Sequence, residues 1–418
     1  MKIVHVSTYP TGGATNAGYR LHKGLLNRGI DSSFLFLHSH TDLAKKEYGY
    51  YDEVSISTFQ RIQLRIKERL YFRKLTKHLL GRPLQFEMFS GVNTPYRVNK
   101  LKVVQDADII VLHWVSNFID HATFFNSIDK PVVWVLHDMN PFTGGCHYAG
   151  ACKEFTKSCS TCPQLEGTID PHYSSKIHAT KLKALSGFNK LSIVALSNWI
   201  YENSKQSSLF AGTPHYLIPN SIDSEVFKPR DQDHCRELLG LPTDKKIILF
   251  VADNVHNHRK GYAILLRSLE QMKDTTDVVL CQIGNSAGTD DIGDIPVVKL
   301  GVIKDELLMS TVYSSADVFV IPSLEDNLPN TVLESLMCAT PVIGFASGGI
   351  KDMVIHEENG YLVEEPSADA LAQALEQFLS GAHAFDKEAI REQTVAKYQL
   401  NVQADRYIAL FNELIAER

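Results

Sequence analysis

The chain is 418 residues long, 44% hydrophobic and 22% charged, with a formal net charge of −6. That balance excludes a general nucleic-acid binder, so no nucleic-acid partner is expected, and the length exceeds one ordinary core and suits two domains of roughly 200 residues each. No apolar run reaches the ~18–20 residues that span a bilayer, and seven cysteines, an odd number, do not form a disulfide framework in a chain this long.

Taken from the start, Met1 leads into "KIVHVST", which reads as a buried strand and not as a signal peptide, so the expected compartment is the cytoplasm. Strands are predicted at 3–7, 33–37, 108–113, 132–137 and 192–196, and amphipathic helical stretches separate them. The first strand ends in the turn "STYPTGGATNAGYRL". Gly12 and Gly13 there would place backbone N–H groups at a helix start, facing the crevice at the strand ends. A plain tight turn would look the same.

The segment Arg61 to Arg82 carries many Arg and Lys against the single acid Glu68. Ile62, Ile66 and Leu70 fall on one stripe and Phe72, Leu75 and Leu79 on a neighbouring one, which predicts a basic amphipathic helix suited to an anionic membrane surface. An ordinary solvated helix whose stripe packs on the first domain is the competing reading. Further on, "CHYAGACKEFTKSCSTC" puts Cys146, Cys152, Cys159 and Cys162 in one short loop, and its closing C-x-x-C predicts a structural zinc site, with a set of reduced, partly buried thiols as the competing reading. No catalytic metal is expected with it.

At "IPNSIDSEVFKP" both periodicities stop, and the strand series restarts at 246–252, 278–283, 297–300, 318–322 and 342–345. Two such series predict two α/β domains, 1–219 and 220–400, each with a parallel sheet covered by helices, followed by a terminal helix at 401–418. In the second series, "IPSLEDNLPNTVLESLMCATPVIGFASGGIKDMV" places Asp326 just beyond a strand's carboxyl end and Glu334 about one turn into the next helix. Strand-end loops of open sheets bind ligands, helix starts favour phosphate, and carboxylates accept hydrogen bonds from hydroxyls. Phosphate and hydroxyls together describe a nucleotide sugar.

This stretch resembles the signature of the retaining glycosyltransferases of family four, the glycosyl transferases group 1. The family implies the GT-B fold, two facing Rossmann-like domains with a cleft between them, and its E-x7-E motif falls here on Asp326 and Glu334. The resemblance implies that the first carboxylate contacts the donor sugar and the second the ribose, with Asn327, Leu328, Asn330, Thr331, Gly348 and Gly349 also on the donor side. "IPNSIDSEVFKP" is similar to the family's interdomain segment, with Ser221 where Gly is usual. "ILFVADNVHNHRKGYAILLRSL" is similar to its diphosphate-binding element: Lys260 and Gly261 match, and Arg259 stands in for an Arg that is usual after the strand, where Ala252 and Asp253 occur. "VLHDMNPFTGG" resembles the loop that brings a histidine, here His137, towards the reacting sugar.

These readings imply a retaining glycosyltransferase that uses a nucleoside diphosphate sugar, no organic cofactor and no catalytic metal. His137, Lys260 and Asp326 are the catalytic candidates. Donor contacts lie mainly in the second domain, and the acceptor is a sugar or a lipid-linked sugar of cell-surface polysaccharide or glycolipid assembly. The enzyme would then sit at the inner face of the cytoplasmic membrane. A nucleotide-sugar epimerase of the same fold and a catalytically silent sugar-nucleotide-binding subunit are the alternatives.

Overall fold

A computed structural model describes residues 1–38, 46–255, 257–285 and 292–416. The chain divides into two compact units, Met1–Pro219 with Gln403–Arg418, and Asn220–Val402. In the first, seven parallel strands run β1 (Lys2–Ser7), β2 (Asp31–Phe36), β3 (Glu47–Gly49), β4 (Ile109–Leu112), β5 (Val132–Leu136), β6 (Leu191–Ala195) and β7 (His215–Leu217), in the spatial order β3-β2-β1-β4-β5-β6-β7. In the second, β8 (Lys246–Asn254), β9 (Val278–Asn285), β10 (Val297–Gly301), β11 (Val318–Ile321), β12 (Val342–Phe345) and β13 (Gly360–Val363) are ordered β10-β9-β8-β11-β12-β13, again all parallel.

The composition of the central strands explains the pairing. "IIVL" of β4, "VVWVL" of β5, "VFVI" of β11 and "VIGF" of β12 are buried at every position, as they must be when helices cover both faces of a sheet. Both cores are built from these runs, around Ile110, Leu112 and Trp134 in the first unit and Phe250, Val320 and Ile343 in the second. The short strands β3, β7 and β13 are additions to the predicted set. Each lies at a sheet edge, where three or four residues give little periodicity to read.

Strand order fixes where ligands can enter. In the first sheet the order reverses between β1 and β4, and in the second between β8 and β11, so the loops leaving those strands diverge and open a crevice at their carboxyl ends. After β1 comes helix Gly13–Asn27, and after β11 comes helix Asn330–Met337. The terminal helix, Leu400–Ala416, buries Ala404, Tyr407, Leu410 and Phe411. Arg28 clamps its Asp405 through two hydrogen bonds of 2.8 and 2.6 Å, and Glu413 accepts from the Tyr216 hydroxyl at 2.8 Å. Residues 417 and 418 of that predicted helix lie outside the described residues.

The basic helix forms as Thr58–His78, started by a capping box in which Ser57 accepts from the Gln60 amide and Gln60 accepts from the Ser57 amide. It is attached by Leu64 and Leu75, both buried, and by Glu68, whose two oxygens accept from the hydroxyls of Tyr51 (2.9 Å) and Tyr96 (2.6 Å). Of the two stripes read from the sequence, the second packs on the unit through Leu75 and Leu79, and the first does not. Ile62, Ile66 and Leu70 stand 54%, 52% and 58% exposed, and Phe59 and Phe72 are exposed beside them.

Candidate functional site

At the switch point of the second sheet, the loop after β8 and the loop after β11 are laced together. Leu324 N–H donates to the Arg259 carbonyl at 2.8 Å, the Arg259 guanidinium donates to the Glu325 carbonyl at 2.6 Å, and Lys260 Nζ lies 2.7 Å from Asp326 Oδ2. Arg259 reaches the same oxygen at 3.3 Å. Burial raises the Asp326 carboxyl, but the pull of Lys260 and then Arg259 outweighs it and holds the group below the usual carboxylate range. The carboxylate is therefore ionised and shared by two cations.

A third loop joins them after β12. Gly349 N–H donates to the Asp326 carbonyl at 2.9 Å and Ser347 Oγ donates to the Ser323 carbonyl at 2.5 Å. Two glycines make the approach possible. A Cβ on Gly348, at φ +54°, would lie 1.8 Å from the Asp326 carbonyl oxygen, and one on Gly261, at φ +71°, would lie 1.8 Å from that of Pro322. The family resemblance puts Gly348 and Gly349 on the donor side, where their amides could meet an anion. One of them is already spent on Asp326, and the requirement for glycine here comes from backbone contact.

This gives an expected result with a built-in control. Gly261→Ala forces a left-handed backbone on alanine and a clash with fixed backbone, together on the order of 3 kcal/mol. Gly240→Ala, at φ +66° with nothing within 4 Å of its Cβ position, carries the backbone cost alone, about 1 kcal/mol. Urea unfolding of the two variants measures the difference. Equal losses would mean that the loops move apart freely.

Helix Asn330–Met337 begins at the same place. Its N-cap is Pro329, no side chain caps it, and Asn327 and Leu328 lead into it buried. Asn330 Oδ1 accepts from the Asn220 side chain at 3.1 Å, and Thr331 follows in the first turn. Uncapped first-turn amides carry partial positive charge and suit an anion. Glu334, one turn in and 9% exposed, accepts from the Tyr313 hydroxyl at 3.1 Å. The second unit thus brings Arg259, Lys260, Asp326, the helix start, Glu334 and Gly348 to one edge: two cations and a helix N-terminus of the kind that suits an anion, with carboxylates beside them able to accept from hydroxyls.

The remaining candidates belong to the first unit. Gly12, at φ +113°, caps helix Gly13–Asn27, and that helix start likewise has no side-chain cap. His137, just past β5 and partly exposed, is the end of a row that crosses three adjacent strands. His5 Nδ1 lies 2.9 Å from His113 Nε2, and His113 Nδ1 lies 3.0 Å from His137 Nε2. Burial pushes all three imidazoles down, His137 to about 4, although Asp138 pulls it upward, so the row is uncharged near neutrality. Gly18 makes room for it, since a Cβ there would meet the His113 ring at 3.1 Å.

His5 and His113 were not singled out from the sequence. The signal was present in "VLHW" and "VLHD", the same tripeptide at the ends of two neighbouring strands. Asp138 is a structural hub: it accepts from Trp114 Nε1 (2.8 Å) and the Asn140 amide (2.8 Å), and His147 Nδ1 lies 2.6 Å away.

The zinc expectation is corrected. Cys146, Cys152, Cys159 and Cys162 do line one cavity of about 20 Å³, but among the described residues no group of three or more His, Cys, Asp or Glu side chains is arranged to hold a metal ion. Cys159 Sγ instead accepts from the Gly144 amide at 3.2 Å, and burial raises its thiol to about 11 and lifts Cys146 and Cys162 as well. Buried Phe142 and Phe155 pack in this region, and the buried Lys181 donates to the carbonyls of Asn140 and Thr143.

Residues 245–381 match the family model of the glycosyl transferases group 1. An uncharacterized glycosyltransferase of Methanocaldococcus jannaschii is 28% identical over 316 residues, which is 71% of this chain and 77% of that protein. A candidate teichuronic acid biosynthesis glycosyltransferase of Bacillus subtilis is 26% identical over 218 residues, 50% of this chain, and the match spans about half (52%) of that protein's length. The crystal structure of Anabaena HepE in complex with UDP superposes with a TM-score of 0.65 at 14% identity, covering 99% of this chain and 100% of that one, which is a likeness of fold.

Proposed function

We propose, from the premise that the second unit belongs to the glycosyl transferases group 1 and that the two-unit α/β fold is of the GT-B type, that this glycosyltransferase moves a sugar from a nucleoside diphosphate donor to a hydroxyl acceptor with retention of configuration. The observation that carries the reading is the Arg259–Lys260–Asp326 cluster beside the uncapped start of helix Asn330–Met337. A departing diphosphate gains negative charge, and preorganised cations and amides stabilise that charge without a metal. Lys260 and Arg259 hold the diphosphate, Glu334 holds the ribose, and Asp326 sets both cations while facing the sugar. His137 and the Gly12-Gly13 turn keep the roles that the family resemblance implies. UDP in the HepE complex supports a nucleoside diphosphate as the donor's leaving group.

The experiment is an incubation with a panel of nucleoside diphosphate sugars and acceptors, read as released nucleoside diphosphate and as the anomeric NMR coupling of the product. Transfer with retention, undiminished by EDTA, is expected. Inverted product or loss of activity on chelation would overturn the mechanism. Tight donor binding without released diphosphate would leave a silent binding subunit.

A second observation bears on the acceptor. Helix Thr58–His78 shows solvent Phe59, Ile62, Ile66, Leu70 and Phe72, with Arg61, Arg65, Arg69 and Arg73 among them, and no helix of the described residues is long and apolar enough to cross a membrane. We read this helix as an interfacial anchor at the inner face of the cytoplasmic membrane, serving a lipid-linked acceptor of cell-surface polysaccharide or glycolipid assembly. Sedimentation with phosphatidylcholine vesicles, with and without phosphatidylglycerol, checks it. Binding should require the anionic lipid and weaken in salt; binding indifferent to both would defeat the reading.

A further inference from the structure

Behind the exposed stripe, the same helix forms one wall of a groove. Lys67, Leu70, Tyr71, Lys74, Leu75 and His78 recur at helical spacing on a single face of Thr58–His78, and they look across at Tyr173, Lys176, Ile177 and Thr180, which recur likewise on helix Tyr173–Leu185. The segment 92–95 floors the space between them, which measures about 530 Å³, within the range of ligand sites. Leu75, Val92 and Ile177 are buried in its lining, and Leu70 continues it outward to the exposed stripe.

The charges of the groove are unevenly satisfied. At one end His78 stacks on Tyr173 with ring centroids 4.1 Å apart, and Asp170 accepts from His78 (3.1 Å) and Lys176 (2.7 Å). Asp170 stands behind the lining, and Asp120, the carboxylate in the lining itself, caps a neighbouring helix by accepting from the amide (3.0 Å) and hydroxyl (2.6 Å) of Thr123. Both carboxylates are thereby committed. Lys67 and Lys74, two turns apart at the mouth, have no ion-pair or hydrogen-bond partner among the described residues.

An apolar trough with unpaired ammonium groups at its rim is complementary to one class of molecule. We propose that this groove binds an amphiphile with a phosphate or diphosphate head, its hydrocarbon tail lying on Leu70, Leu75, Val92 and Ile177 and its head held by Lys67 and Lys74. Burial of the tail supplies most of the affinity, and the ammonium groups select the anionic head. If the chain acts as a transferase the occupant is its acceptor, which deepens that reading; the binding itself does not depend on it.

The test uses the whole protein and farnesyl diphosphate as probe, with farnesol and inorganic pyrophosphate as separate arms, measured by calorimetry. Farnesyl diphosphate should bind about tenfold or more tightly than either part. It should bind equally well in the presence of saturating UDP and in Lys260→Ala, which keeps the groove distinct from the donor site. Lys67→Glu with Lys74→Glu, both exposed positions, should weaken it about tenfold, and Leu70→Glu should do the same by placing charge in the trough; thermal unfolding confirms that each variant is folded. Equal binding of pyrophosphate, equal binding of farnesol, displacement by UDP, or undiminished binding by these variants would each overturn the proposal. So would self-association of the chain that Leu70→Glu abolishes, since the groove would then be a contact between copies. Failure of all nucleotides to bind, with farnesyl diphosphate still held, would sink the transferase reading and leave the groove standing.

Discussion

Acidifying the protein from about pH 7 to about pH 5 is expected to destabilise the first unit steeply, well before its carboxylates are protonated. His5, His113 and His121 are buried, and burial holds each of them well below the usual imidazole range, His121 to about 3. His22, beside His5, is pushed to about 4 by burial, with Glu47 opposing and Lys46 assisting. Lys181 adds to the depression of His121, His22 to that of His5, and His5 and His137 to that of His113. The sign follows from proton uptake. Below ~6.5 the unfolded chain binds protons that the folded chain refuses, so each such histidine costs about 1.4 kcal/mol for every further pH unit, until its folded pKa is reached. Several acting together exceed the marginal stability of a domain. Urea unfolding at stepped pH, followed by a first-unit tryptophan such as Trp134, checks this. His113→Asn, which keeps a polar hydrogen-bonding group but cannot charge, should flatten the slope by about one proton's worth. A stability that stays level between those pH values would mean that the row opens to water.

Lys260→Ala should cut the rate of sugar transfer on the order of a hundredfold, by analogy with losing one oxyanion-stabilising donor. Its charge sits 2.7 Å from Asp326, and in the proposed donor site it would face the departing diphosphate, so that its interaction would strengthen as the reaction proceeds. Glu334→Gln should fail in the opposite way. A ribose contact is the same in ground and transition states, so donor affinity falls more than the rate of bound substrate. Asp326→Asn should damage both quantities, because it releases Lys260 and Arg259 together. Single-turnover rates set against calorimetric donor affinity separate the three patterns. Near-normal transfer by folded Lys260→Ala and Asp326→Asn would move the donor site elsewhere.

The central strands were readable because parallel strands buried on both faces are unbroken apolar runs, as in "IIVL" and "VFVI". Asp326 was readable as a candidate because it lies in a strand-end loop after such a run, and Glu334 because it lies one turn into the helix that follows; Arg259 and Lys260 came from the family resemblance. What Asp326 touches was not readable, since its partners are 66 residues away in sequence and meet it only because β8 and β11 are neighbours. The histidine row was hidden for the same reason, being assembled across β1, β4 and β5. Cysteine spacing suggested a metal, yet spacing fixes only proximity along the chain. Where each thiol points is set by Gly144, Phe155 and the positive φ of Cys159. Periodicity also marked the stripe of helix Thr58–His78 correctly as one face, but only packing decides whether a face turns inward, and Leu64, Leu75 and Glu68 turn this one out.

The first unit is closed by residues from Gln403 onward, after the whole of Asn220–Val402 has intervened. On a ribosome adding about 5–20 residues per second, the sheet of the first unit must wait roughly ten to forty seconds for its last helix. Through that interval the surface that receives Tyr407 and Phe411 stays uncovered, and Arg28 lacks Asp405. Synthesis order and assembly order therefore differ: the second unit can finish first, and a chain truncated before Gln403 would release a first unit with a permanent apolar scar, a natural substrate for chaperones and proteases.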